Sequence, residues 1–182
     1  MKKSSAINLV ITLGLLLGTS MLAGCGSDGN GDGDNGTSIS GEKVTIKSDG
    51  GNSGIATATV VVPEGWAHKI HYREDGVSLY HHEPPAKDSY GGNIPCIGIS
   101  ITTAPNIGVT STADSFLRDL DSKKIGDVEC AGLAYKHIAG DSFQYVGTIS
   151  GSLSIYVYAN GFDADDPEVK AIIDSITISV DN

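Results

Sequence analysis

Residues 127–159 read DVECAGLAYKHIAGDSFQYVGTISGSLSIYVYA, and the fold class turns on how this stretch is divided. Leu153, Ile155 and Val157 alternate with Tyr156 and Tyr158, which is the two-residue period of a strand with one buried face. Asp127 to Ile138, Ser142 to Ile149 and Ser152 to Ala159 therefore read as three strands. A Gly140-Asp141 turn precedes the second and the two-residue turn Ser150-Gly151 joins the last two. Strands joined this tightly pair antiparallel, so the stretch predicts a three-strand meander.

Working outward, Cys96 to Thr103 places Ile97, Ile99 and Ile101 on one strand face. Lys69 to Arg73 and Val77 to His82 flank Asp75-Gly76, a hairpin signal. Val44 to Lys47 and Ile55 to Val62 predict two earlier strands, the second ended by Pro63-Glu64-Gly65 before Trp66. Two segments carry helical spacing instead. Ala113, Phe116, Leu117 and Leu120 fall at i, i+3, i+4 and i+7 behind a cap at Ser111 or Thr112, with Lys123 and Lys124 near the end and Gly126 as the stop. Val169, Ile172, Ile173 and Ile176 repeat that stripe behind a cap at Asp165 or Asp166, with Pro167 in the first turn. Alternation at Ile176, Ile178 and Val180 predicts a closing strand. The expected class is α+β: a mainly antiparallel sheet flanked by two α-helices, an α/β/α sandwich.

The 182 residues carry a formal net charge of −10. Removing residues 1–24, whose charged side chains are Lys2 and Lys3, takes this to −12. Such an acidic surface argues against nucleic acid, which needs a Lys/Arg face for its phosphates. It also argues against attachment to anionic lipid by charge.

Lys2 and Lys3 precede an apolar run from Ile7 to Leu22, closed by Leu22-Ala23-Gly24-Cys25. A charged start, a short apolar run and a small-residue site form a secretory signal, and the run is too short for a good permanent span. The last four residues resemble the lipobox of bacterial lipoproteins. That resemblance implies cleavage before Cys25, diacylglycerol on its thiol, and anchoring on the extracytoplasmic face of a membrane. Several acyl chains give stable attachment, at roughly 0.8 kcal/mol per buried CH₂. The expected organisation is signal peptide 1–24, a flexible Gly/Asp/Ser tether 25–43 and one domain 44–182. Gly31 to Gly36 matches G-x-G-x-x-G without its strand and helix. Asp28 to Gly33 begins like a calcium loop but reaches Ile39 where the bidentate Glu belongs. Neither predicts a cofactor.

Val62-Pro63-Glu64-Gly65-Trp66, Ser115-Phe116-Leu117, Ala134-Tyr135 within Gly132 to Gly140, and Asp166-Pro167-Glu168-Val169-Lys170 leading to Ile173-Asp174-Ser175-Ile176 together resemble the Mog1/PsbP-like fold over about residues 55–180. The resemblance implies a helix-flanked antiparallel sheet used for binding and scaffolding. It carries over no site residues, and fold does not fix function.

The chemistry-bearing residues sort as follows. Gly140-Asp141-Ser142-Phe143 resembles one esterase block, but no histidine follows an Asp by three residues. Ser142 reads better as a strand start. Cys96 and Cys130 remain after Cys25 is lipidated, either as a candidate disulfide of roughly 3–4 kcal/mol or as two buried thiols. His68 and His71 could approach His81 or His82 across the hairpin, with Asp75 or Glu83, as a surface metal site; the alternative is a solvated polar face. Tyr135 with His137, and Tyr156 with Tyr158, share strand faces that either line a groove or form the outer part of a core. The 83–95 loop, with Lys87 and Tyr90, is the expected variable surface. These residues predict a non-enzymatic, membrane-anchored surface lipoprotein that binds or scaffolds an envelope protein or small ligand. Metal or small-molecule binding is the alternative, and an envelope hydrolase using Ser142 or a cysteine comes third.

Overall fold

The computed structural model describes residues 39–81, 94–103 and 115–181. In chain order the elements are β1 (Gly41–Asp49), β2 (Ile55–Pro63), β3 (Ala67–Ile70), β4 (Gly76–Tyr80), β5 (Cys96–Thr102), β6 (Ser115–Ile125), β7 (Val128–His137), β8 (Gly140–Ser150), β9 (Leu153–Asn160), α1 (Pro167–Asp174) and β10 (Thr177–Asp181). They form a three-stranded sheet, β1-β2-β10, and a seven-stranded sheet, β3-β4-β5-β9-β8-β7-β6. Every neighbouring pair is antiparallel.

Alternation builds the core. Ala56, Ala58, Val60 and Val62 of β2 are buried, as are Ile97, Ile99 and Ile101 of β5 and Leu153, Ile155, Val157 and Ala159 of β9. These side chains join Val169, Ile172 and Ile173 of α1 in one apolar cluster spanning both sheets and the helix. Each fully buried Ile or Leu contributes about 1.5–3 kcal/mol.

Helix α1 starts where Asp166 accepts from the backbone N–H of Glu168 (2.9 Å) and Val169 (3.1 Å), with Pro167 next. The structure thus selects Asp166 over Asp165 as the cap. At the other end Ser175 Oγ donates to the Ile172 carbonyl (2.6 Å) and accepts from Val61 N–H (3.0 Å), tying the helix to β2.

The expected two-helix α/β/α sandwich, and with it the Mog1/PsbP-like arrangement, does not form. Among the described residues α1 is the one α-helix, and residues 115–125 are strand β6 at the edge of the larger sheet. The expected cap at Ser111 or Thr112, and Ala113, lie outside the described residues. Two register shifts, between Phe116 and Arg118 and between Leu120 and Lys123, explain the misleading spacing. Each irregularity resets the alternation. Arg118, Leu120, Lys123 and Ile125 then share a face opposite Ala134, Gly132, Cys130 and Val128, respectively. Pairing also satisfies backbone groups that β7 would otherwise present as an open edge. Phe116 and Leu117, expected to face a core, are more than half exposed. Gly126, at φ +57°, makes the tight turn into β7 rather than stopping a helix.

Smaller corrections concern boundaries. Gly41, Glu42 and Lys43, expected in the tether, are the first rungs of β1 opposite Pro63, Val62 and Val61. The Asp75-Gly76 turn is longer than two residues, because β3 ends at Ile70 and Gly76 opens β4. The meander turn falls on Gly151-Ser152, since Ser150 still pairs with Leu153.

Candidate functional site

The first candidate lies where the chain enters α1. The Pro63-Glu64-Gly65 turn, with Gly65 at φ +87°, carries Trp66 to the helix start. There Trp66 Nε1 donates to Glu168 Oε1 at 2.9 Å. His81 stands edge-on to Trp66, with ring centroids 5.2 Å apart, and its Nε2 is 4.0 Å from Glu168 Oε2. Phe162 packs on Trp66 at 5.8 Å. Beside this group is an open depression of about 420 Å³ lined by Ile39, Ser40, Pro63, Glu64, Pro167, Glu168 and Ala171. Mostly apolar walls with two glutamates, Glu64 and Glu168, suit a binding surface. Trp66 and Glu168 belong to two short motifs noted in the sequence, 102 positions apart, and only the fold joins them.

The second candidate is the face of the seven-stranded sheet turned away from the core. Register puts Tyr80, Gly98, Tyr156, Tyr158, Asn160, Ser142, Gln144 and Tyr135 on it. Tyr135 donates to Asn160 Oδ1 (2.7 Å) and Tyr156 to Gln144 Oε1 (2.9 Å). The Tyr156 and Tyr158 rings lie 5.5 Å apart. Tyr158 hydrogen-bonds Ser78, yet burial drives its hydroxyl far above the usual tyrosine range. Ser78 also bonds His71 Nε2 (3.0 Å), and burial lowers the His71 pKa against the raising effect of Asp75. Gln144 Nε2 is buried with no partner among the described residues. The tyrosines read as a shared face in the sequence do lie together here.

Other sequence candidates are dispersed. Ser142 Oγ donates to the Gly140 carbonyl and accepts from Gly161 N–H, both at 3.1 Å, so it braces a turn. Cys96 and Cys130 are free and buried. Cys96 pairs with Asn160, on the tyrosine face, whereas Cys130 joins the core cluster on the other face. Strands β5 and β7 are three spacings apart, about 14 Å at ~4.8 Å per strand. The candidate disulfide is therefore out of reach, since bridged Cα atoms lie within about 7 Å. Burial pushes both thiols up to about 11, with Glu129 adding to the effect at Cys130, so they are poor nucleophiles. His68 turns to Glu42 (3.8 Å), His71 to Ser78 and His81 to Glu168. Among the described residues no three metal-ligating side chains gather. His82, Glu83, Lys87 and Tyr90 lie outside them, as do Cys25 and the rest of residues 1–38. No described helix is long and apolar enough to cross a membrane.

No family model matches the chain, and no curated protein matches it. Among solved structures it is similar to LpqN of Mycobacterium tuberculosis, described as involved in cell envelope biogenesis. That match has 14% identity and a TM-score of 0.45, covering 75% of this chain and 91% of that one. A structure from Bacteroides thetaiotaomicron matches at 11% identity and a TM-score of 0.35, covering 69% of this chain and 45% of that one. Likenesses this distant assign no function to the chain.

Proposed function

We propose that the chain is a lipid-anchored extracytoplasmic lipoprotein whose β-sandwich domain binds an envelope protein or small ligand and does not turn over a substrate. One observation carries the reading: Leu22-Ala23-Gly24-Cys25 closes an apolar run that starts behind Lys2 and Lys3. The side chains best suited to covalent catalysis have other duties. Ser142 is committed to two backbone groups, and both domain thiols are buried with raised pKa values. The Trp66–Glu168 surface offers contact area rather than a nucleophile and base.

Fractionation of a bacterial host producing the full chain tests the reading. The wild-type chain should partition with membranes and begin, by mass, at a diacylglyceryl Cys25. The Cys25→Ser chain should be lost from that fraction. Equal membrane partition of both chains, or a wild-type Cys25 without lipid mass, would defeat it.

A further inference from the structure

A second cavity, apart from the Trp66 surface, opens where β6 runs past the edge of α1. Its volume is about 150 Å³, and its walls include Arg118, Asp121, Phe143, Tyr145, Asp165 and Lys170. The space suits a molecule of a few heavy atoms, well below the several hundred Å³ of a drug-sized pocket.

The polar groups in its wall are unevenly satisfied. Lys123 reaches Asp174 at 2.5 Å and Lys170 reaches Asp165 at 3.9 Å. Arg118 and Asp121, three positions apart on β6, make no ion pair among the described residues. Tyr145 is 9% exposed, and its hydroxyl has no hydrogen-bond partner among the described residues. Its ring lies over Gly132, where a Cβ would collide with it, which fixes the direction of the phenol. The hydroxyl reaches the cavity surface, where a ligand oxygen can accept its hydrogen bond in place of solvent. The charges surround this hydroxyl. Burial raises its pKa, Asp121, Asp165 and Asp174 add to the rise, and Arg118 opposes it. Among the described residues, the cavity thus presents an exposed guanidinium and an exposed carboxylate without ion pairs, and a phenol above an apolar floor at Phe143.

We propose that this cavity binds a free α-amino acid. The ligand carboxylate meets Arg118, its ammonium meets Asp121 and Asp165, and Tyr145 donates to the carboxylate. A small zwitterion satisfies groups of both signs at once, whereas a simple anion or cation leaves one sign uncompensated. The inference rests on the binding half of the reading above and is independent of the lipid on Cys25.

Isothermal titration calorimetry of the full chain in detergent micelles tests it. Each common α-amino acid serves as titrant, with acetate and methylammonium as single-charge controls. At least one amino acid should bind while both controls give no heat. Arg118→Gln and Asp121→Asn, both at exposed positions, should each weaken that binding about tenfold or more, and Tyr145→Phe several-fold. Thermal unfolding of each variant verifies that it is folded. No heat from any amino acid at about 10 mM, acetate binding as tightly as the amino acid, or unchanged affinity in Arg118→Gln would overturn the proposal. Each of these results leaves the Cys25 fractionation outcome intact, so the two readings fail separately.

Discussion

Gly98→Ala should destabilise the domain by about 2 kcal/mol, for reasons visible in one cross-strand pair. Gly98 on β5 sits directly opposite Tyr158 on β9, and the Tyr158 ring lies across the glycine. A Cβ at position 98 would fall 2.5 Å from Tyr158 Oη and nearer still to Cζ and Cε1. Ordinary carbon contacts are about 3.5–4.0 Å, so the ring must swing aside. That movement breaks the hydrogen bond to Ser78 and disturbs the packing on Tyr156 at 5.5 Å. Overpacking costs about 1–3 kcal/mol and the lost hydrogen bond about 0.5–1.5 kcal/mol. Replacing a strand glycine by alanine returns about 0.5–1 kcal/mol of chain entropy. The net is a loss of about 2 kcal/mol, or about 4–8 °C in Tm for a domain of this size. Urea unfolding of the full chain, followed by tyrosine and tryptophan fluorescence, measures it. In a Tyr158→Leu background the ring is gone, and Gly98→Ala should then be neutral or mildly stabilising. A loss below about 0.5 kcal/mol in the wild-type background, or an equal loss in both backgrounds, would refute the argument.

Asp166→Ala removes the acceptor of two helix N–H groups and should cost about 1 kcal/mol. Asp165→Ala, whose exposed carboxylate stands 3.9 Å from Lys170, should cost less than about 0.5 kcal/mol; equal losses in urea unfolding would contradict the cap assignment. Both domain thiols are raised from 9.0 to about 11 in the folded state. The folded chain therefore holds these protons where the unfolded chain releases them. Their contribution to stability is complete below pH 9 and is lost as pH rises through about 11. Cys96→Ala/Cys130→Ala should unfold with a shallower pH dependence across that window; an unchanged slope would contradict it. Without reducing agent, the native chain should show the mass of two free thiols at Cys96 and Cys130. A mass two hydrogens lower would show a bridge that the strand order forbids.

Much of the strand plan was legible because its signals are local. The alternation at Ile97, Ile99 and Ile101 and at Leu153 to Ala159 identifies half-buried strands whatever they pair with. The Asp166-Pro167 start and the Val169, Ile172, Ile173 stripe identify α1 for the same reason. The candidate site was less legible. Trp66 and Glu168 each stood in a recognisable short motif, yet nothing local says that an indole 102 positions away will donate to that carboxylate. Arg118, Asp121 and Tyr145 carried no motif, and reading 115–125 as a helix hid the face that gathers Arg118 with Leu120 and Lys123.

The sequence by itself determined the acidic charge, most strand positions and the single described helix. Each follows from composition, period or capping within a few residues. Tertiary structure alone decided that β6 is an edge strand, that Cys96 and Cys130 face opposite sides of one sheet, and that Tyr145 looks into a charged cavity. The apolar spacing of residues 113–120 suits a helix stripe. It equally suits a strand whose bulges reset the alternation, and the open edge of β7 selects the strand. That edge exists only after β7, β8, β9 and β5 have paired, so no window of sequence around Phe116 contains the information.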